Sequence, residues 1–191
     1  MILNLAVFLC TLTAMEGVGY LAHRYIMHGW GWFLHRSHHE PQLGALETND
    51  IYLLALALIA FALVAIGRAG HAPLQWVGAG VAAFGVLYVV VHDGIVHRHW
   101  PFKPQPRNRY LKRLYKAHLL HHALKGRDNS VSFGFLYAPP MHRLKQQLRK
   151  RVGAGLPRDS DTPVTQNRGA SPLPLWRRWG RGLPTSRKRL R

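Results

Sequence analysis

Three apolar runs limit what this chain can become. Residues 2–22 contain neither Lys nor Arg, and residues 51–67 and 74–91 contain no charged side chain. As helices they would extend ~32, ~26 and ~27 Å, each enough to cross the hydrocarbon of a bilayer. The first run lacks the basic start and small-x-small end of a cleaved signal peptide, so it reads as a retained transmembrane helix. The second and third are parted only by Arg68-Ala69-Gly70-His71-Ala72-Pro73, a breaker that makes them a transmembrane hairpin. Three spans put residues 23–50 and everything after His92 on one side of the membrane. Arg24, Arg36 and the basic C-terminal half mark that side as cytoplasmic. The expected fold is therefore all-α: an integral membrane bundle of three to four transmembrane helices. The fourth would be a full or re-entrant element at 131–141, against which the short length and Pro139-Pro140 argue.

Histidine is the outlier in composition, with 13 residues. Ten of them fall into four motifs: His23/His28, His35/His38/His39, His92/His97 and His118/His121/His122. The order His-x4-His, His-x2-His-His occurs twice, once on each side of the hairpin. The topology brings both copies to the same membrane face. In an α-helix, positions i, i+3 and i+4 share a face, so each triple can converge. Positions i and i+5 lie ~140° apart, so each pair either straddles two ions or spans a helix end near Gly29 or Gly94. Ten neutral imidazoles exceed the four to six ligands of one ion and suit two. Imidazole serves iron, zinc and copper alike. A histidine-only dinuclear site beside a membrane points to oxygen chemistry on a lipophilic substrate, because breaking an unactivated C–H bond is work for a redox cofactor and not for side chains.

Glu40, Glu47, Asp50 and Asp93 lie near these motifs and could bridge metals, but are better candidates to receive the second N–H of a ligating imidazole, with helix capping as their ordinary alternative. Glu16 shares a helical face with Tyr20 and His23 and could orient that histidine, or simply sit near the membrane edge. Trp30, Trp32 and Phe33 suit a membrane–water interface or a greasy substrate entrance. His71, His99 and His142 fit no motif and are expected to be structural or solvated.

The single cysteine, Cys10, excludes a disulfide framework and any cysteine-based metal cluster. The formal net charge of +18 favours anionic lipid or an acidic protein partner. From residue 151 onward there are ten Lys/Arg against two Asp, with scattered Pro and Gly. The chain thus divides into a membrane-embedded domain at 1–150 and a basic, disordered tail at 151–191. The tail's Trp176-Arg177-Arg178-Trp179 is better explained by lipid headgroups than by nucleic acid, and no nucleic-acid partner is expected. No Gly-x-Gly-x-x-Gly unit is present for a nicotinamide or flavin, so electrons must come from outside.

The order of the four motifs resembles that of the bacterial β-carotene 3-hydroxylases within the fatty acid hydroxylase superfamily. The likeness extends to Tyr25-Ile26-Met27-His28-Gly29-Trp30, Ser37-His38-His39-Glu40-Pro41, Asn49-Asp50, Leu74-Gln75-Trp76, His92-Asp93-Gly94, Leu111-Lys112-Arg113-Leu114-Tyr115 and the stretch Val131-Ser132-Phe133-Gly134-Phe135-Leu136-Tyr137-Ala138-Pro139-Pro140. It implies a non-haem di-iron monooxygenase in the bacterial inner membrane with its histidine-rich cap on the cytoplasmic face. It implies that all ten motif histidines bind metal, and that O2 and an external electron donor are consumed; the basic cytoplasmic face favours a reduced ferredoxin or similar acidic redox carrier as that donor. The reaction it implies is hydroxylation of carbon 3 of a carotenoid's β-ionone ring, taking β-carotene to zeaxanthin through β-cryptoxanthin. Two other readings share the ligand set: a membrane hydroxylase, desaturase or ketolase for another lipid, and a histidine-rich metal transporter. The absence of ionisable residues from runs 51–67 and 74–91 weighs against transport.

Overall fold

A computed structural model describes residues 1–40, 46–97, 100, 104–124 and 126–155. The described residues hold helices and loops and no strand. α1 (Ile2–Leu21) continues without a break into a π-helical segment, Ala22–Trp30, and short α2 (Trp32–His39) follows. α3 (Asp50–Arg68) and α4 (Ala72–Tyr88) form the hairpin, and α4 also runs on into a π-helical segment, Val89–Val96. α5 (Arg109–His121) and α6 (Met141–Gly155) complete the chain. Three helices are long and apolar enough to cross a membrane: Ile2–Trp30, Asp50–Arg68 and Ala72–Val96. This is a membrane protein. Residues 131–140 are non-helical and add no fourth span.

α4 is the centre of the bundle, packed against both α1 and α3. Small residues let it approach closely. A Cβ on Gly78 would sit 2.8 Å from the Ala60 carbonyl oxygen of α3, and one on Gly80 would sit 2.9 Å from the Phe8 carbonyl oxygen of α1. Within a bilayer such close backbone packing drives helix association, since lipid tails already solvate apolar side chains. The outward faces carry Leu5, Leu54, Leu58, Phe61 and Val86, all exposed. That surface suits hydrocarbon and would be an aggregation hazard in water.

Two cores result. Met15, Ala60, Val81, Phe84 and Phe135 pack inside the membrane bundle. Val91, Leu114, Ala117, Val131, Ala138 and Leu144 pack in the cap. α5 starts at Asn108, whose Oδ1 accepts from Leu111 N at 2.7 Å, an N-cap hydrogen bond. α6 starts directly after Pro139-Pro140 and extends to Gly155, past the expected domain limit at residue 150. Residues 156–191, and with them the segment Trp176–Trp179, lie outside the described residues, as do His99 and Pro41.

Residues 131–140 form the lid between the cores. Glu16, one turn from the apolar end of α1, holds it. Its Oε1 accepts from Phe135 N at 3.0 Å and Tyr137 N at 2.9 Å, and its Oε2 accepts from Leu136 N at 2.9 Å. A carboxylate in an apolar bundle needs such partners, and three backbone donors supply them. Tyr110 OH and Arg113 Nη2 from α5 donate to Leu136 O and Ala138 O on the same strap.

Candidate metal centre

Both histidine-bearing helix ends are π-helical, and this decides where the spaced pairs point. In a π-helix the N–H of residue i+5 bonds to the C=O of residue i. His97 N donates to His92 O at 2.8 Å, and Gly31 N to Ile26 O at 2.9 Å. The extra residue per turn stacks positions i and i+5, which an α-helix would set apart. His23 and His28 come to 5.1 Å between ring centroids, and His92 and His97 to 4.6 Å. Neither pair straddles two groups. Gly29, at φ −109° and ψ −126°, then breaks the first segment just after His28 and turns the chain toward α2.

The triples behave in the opposite way. His23, His28, His35, His39 and His121 form one group, and His38, His92, His97 and His118 a second. Within each group the candidate ligand atoms all lie within 4.8 Å of one another. His35 and His39, one turn apart on α2, join the first group while His38 joins the second. On α5, His121 joins the first and His118 the second. Each half of the chain therefore contributes to both groups. His122 stands between them, its ring 4.2 Å from that of His39 and 4.4 Å from that of His118. All ten motif histidines meet at one end of the bundle; His71 and His142 are exposed and remote from the motifs in sequence.

The outer ring nitrogens are held by specific acceptors. Nδ1 of His23, His28 and His121 donates to the carbonyl oxygens of Phe133 (2.9 Å), Arg127 (2.7 Å) and Val131 (3.2 Å). Nδ1 of His35, His38 and His92 is bonded to Asn49 Oδ1 (2.6 Å), Glu47 Oε2 (3.2 Å) and Asp93 Oδ1 (2.7 Å). A carbonyl oxygen cannot donate, so three of these imidazoles must carry their proton on Nδ1 and point an unprotonated Nε2 inward. His28 Nε2 and His121 Nε2 are 3.1 Å apart. Two lone pairs at that distance repel unless a cation lies between them. Two ligands ~2.1 Å from one ion and at a right angle lie ~3 Å from each other. The contacts His23 Nε2 to His35 Nε2 and His39 Nε2 to His35 Nε2 are both 3.2 Å. Nε2 of His38, His92 and His122 is buried with no hydrogen-bond partner among the described residues. Buried polar atoms are seldom left so, and the donor set fits metal.

Electrostatics agree outside the spans. Burial, and then neighbouring imidazoles, hold His38, His118 and His121 well below the usual histidine range. Burial holds His35 down at about 4 and His122 at about 3. These rings are neutral at physiological pH, the form that binds metal. Burial, with Asp50 nearby, pushes Glu47 up to about 7.

The acids divide. Asp93 faces His92 directly. Asp50 instead accepts from Glu47 N at 2.9 Å, in the turn that leads into α3. Glu40 pairs with Arg36 at 2.8 Å on the exposed side of α2. Glu16 reaches His23 only through the strap that carries the Phe133 carbonyl. Asn49 and the carbonyls of Arg127, Val131 and Phe133 are acceptors that sequence reasoning missed. Asn49 had one signal, its place in the Asn49-Asp50 pair; carbonyl acceptors have none.

Aromatic rings close the group off. Phe135 stacks on His23 at 5.0 Å, lies edge-on to His92 at 5.5 Å, and packs on Phe84 and Tyr88 of the membrane bundle. Trp32 lies against His28 and His39 on the other flank.

The fatty acid hydroxylase profile matches residues 8–142, a stretch that holds all ten motif histidines. The chain belongs to the fatty acid hydroxylase family. A β-carotene hydroxylase of Pantoea ananas is 53% identical over 82% of this chain and 91% of its own length. One from Pseudescherichia vulneris is 51% identical over 84% and 91%. A chloroplastic β-carotene hydroxylase of Capsicum annuum is 34% identical over 69% of this chain and 44% of its own length. No solved structure matches the chain. In this fatty acid hydroxylase, then, the two groups of imidazoles sit where three apolar helices emerge.

Proposed function

We propose that this chain is a non-haem di-iron monooxygenase that hydroxylates carbon 3 of the β-ionone ring of carotenoids, converting β-carotene to zeaxanthin by way of β-cryptoxanthin. One observation carries the reading: nine imidazoles gathered in two groups, six of them with the outer nitrogen tethered, beside an apolar bundle. The similarity to β-carotene hydroxylases over most of the chain supports the carotenoid. Two irons held by His23, His28, His35, His39 and His121, and by His38, His92, His97, His118 with His122, would supply the reaction of O2 with an unactivated C–H bond.

The remaining work falls to the protein. The six tethers fix tautomer and ring angle, so that the ligands meet the ions with little reorganisation. Phe135 and Trp32 keep water off the imidazoles. The membrane bundle offers a lipophilic substrate its approach, because a carotenoid dissolved in the bilayer meets the site along the spans. The site belongs on the cytoplasmic face of the bacterial inner membrane, the side of the basic residues. The outer face of α5 bears Arg109, Lys112 and Lys116, all exposed, while His118 and His121 on the other side are buried. α6 adds exposed Arg143, Lys145, Arg149 and Lys150. An acidic carrier such as reduced ferredoxin would dock there by charge complementarity, one helix diameter (~10 Å) from the histidines. Expression in bacteria that accumulate β-carotene, followed by pigment chromatography, tests the function. Zeaxanthin and β-cryptoxanthin are expected; unchanged β-carotene, with the protein present and iron supplied, overturns the reading.

A further inference from the structure

A cavity of about 280 Å³ borders the strap with no motif histidine in its lining, and nothing in the hydroxylase reading uses it. It is lined by Tyr20 and Arg24 from the end of the first span, Ser132 and Phe133 from the strap, and Gln147 and Arg151 from α6. The apolar run of α1 ends at residue 22, so Arg24 stands at headgroup depth, where guanidinium groups meet lipid phosphates.

Its polarity is one-sided. Among the described residues two guanidinium groups line it and no carboxylate does. Glu16, behind Gly134, has both oxygens committed to the strap's N–H groups. Arg24 Nη1 donates to Tyr20 OH at 2.7 Å, and Arg151 Nη1 to Asp128 O at 2.6 Å. Each contact holds one nitrogen of a planar fork, the group by which arginine takes phosphate oxygens in pairs. Two like charges facing one small cavity repel unless an anion joins them. Ser132 is the one non-glycine residue at positive φ among the described residues, at 66°. Backbone held in that region tends to occur at ligand clamps.

We propose that this cavity is a phosphate site that takes the headgroup of an anionic membrane lipid. Apolar walls at Phe133 and Leu144 suit the glycerol and first methylenes of such a lipid. The occupant would tie α1, the strap and α6 together. The strap carries the carbonyls of Val131 and Phe133 that orient His121 and His23, so lipid here braces the first imidazole group from behind.

The test uses the full chain purified in a neutral detergent. Phosphatidylglycerol, phosphatidylcholine and inorganic phosphate are added separately, and the unfolding midpoint and lipid retention in native mass spectra are read. Phosphatidylglycerol should raise the midpoint by several degrees and stay bound, and phosphatidylcholine should do neither. Arg24→Gln with Arg151→Gln should weaken phosphatidylglycerol retention at least tenfold. Arg149→Gln with Lys150→Gln removes the same charge from α6 outside the cavity and should leave retention unchanged. Arg151→Lys keeps charge without the fork and should bind at an intermediate level. Equal effects of the two lipids, or equal losses from the two double variants, overturn the proposal. A shift with inorganic phosphate and none with phosphatidylglycerol assigns the site to free phosphate and overturns the lipid source.

Discussion

His97 N donates to His92 O at 2.8 Å, and that single i+5 hydrogen bond places both rings in the same imidazole group. The π-helical turn is thus what gives the His-x4-His spacing its use. Inserting one residue between them, an Ala after Ile95 for example, would set the two histidines six positions apart and swing His97 ~120° around the helix from His92, out of the group. Metal analysis should then show about one ion lost per chain, with the first group still loaded. Two ions retained would mean that the turn does not set ligation.

Much of this was legible in the chain, and the remainder shows what sequence spacing leaves out. The spans and hairpin follow from apolar length, and the meeting of His23–His39 with His92–His122 follows from the even number of spans, two, that part them. The division of each triple between two groups does not follow. Facing one side of a helix fixes a direction for His35, His38 and His39, not a partner, and two groups lie in that direction. Glu16 shares a face with His23 as the spacing suggests, but a strap 120 residues away intervenes. Carbonyl acceptors at Arg127, Val131 and Phe133 carry no side-chain signature at all.

Glu16→Gln should unsettle the first group from a distance. Its two oxygens accept three backbone N–H groups. An amide turns at least one acceptor into a donor facing a donor, a loss of about 1–3 kcal/mol for a buried unpaired group. The unfolding midpoint should fall, and metal bound by His23 and His121 should exchange faster than metal in the second group. Unaltered exchange in both would show that the strap does not position these rings.

Asn49→Ala removes the acceptor 2.6 Å from His35 Nδ1. His35 would then be free to turn or to change tautomer. Loss of such an acceptor typically lowers metal affinity about 10–100-fold. Asn49→Asp keeps an acceptor and should recover much of that affinity. Chelator competition measures both; identical affinities for Ala and Asp variants would sink this role.

Acid should destabilise the metal-free protein. An unfolded histidine takes its proton near pH 6.5, whereas burial holds His35 to about 4 and His122 to about 3. Between those limits the unfolded state binds more protons, so stability falls as pH drops from 6.5 toward 4. His38, His39, His118 and His121, all held low, act in the same sense. Glu47, raised to about 7 from 4.5, opposes them between those values, as one group against six. After chelator treatment the unfolding midpoint should be level above pH 7 and decline below 6.5. A midpoint constant down to pH 5 would contradict the buried, neutral imidazoles.

Lys112→Glu with Lys116→Glu tests the proposed docking of an acidic electron carrier on α5. Both side chains are exposed on α5, whose opposite side holds Leu114, Ala117, His118 and His121 buried. Reversing two charges on a docking face slows encounter with an acidic carrier but leaves the imidazoles untouched. The KM for reduced ferredoxin should rise about tenfold or more, while kcat at saturating carrier stays within about twofold. Added salt should slow the unaltered enzyme toward the variant, because screening removes the same attraction. A small uncharged reductant should serve both equally. If the KM for the carrier is unchanged while both proteins keep their metal, electrons enter by another face, and the corresponding reversal on α6, Lys145→Glu with Arg149→Glu, becomes the discriminating pair.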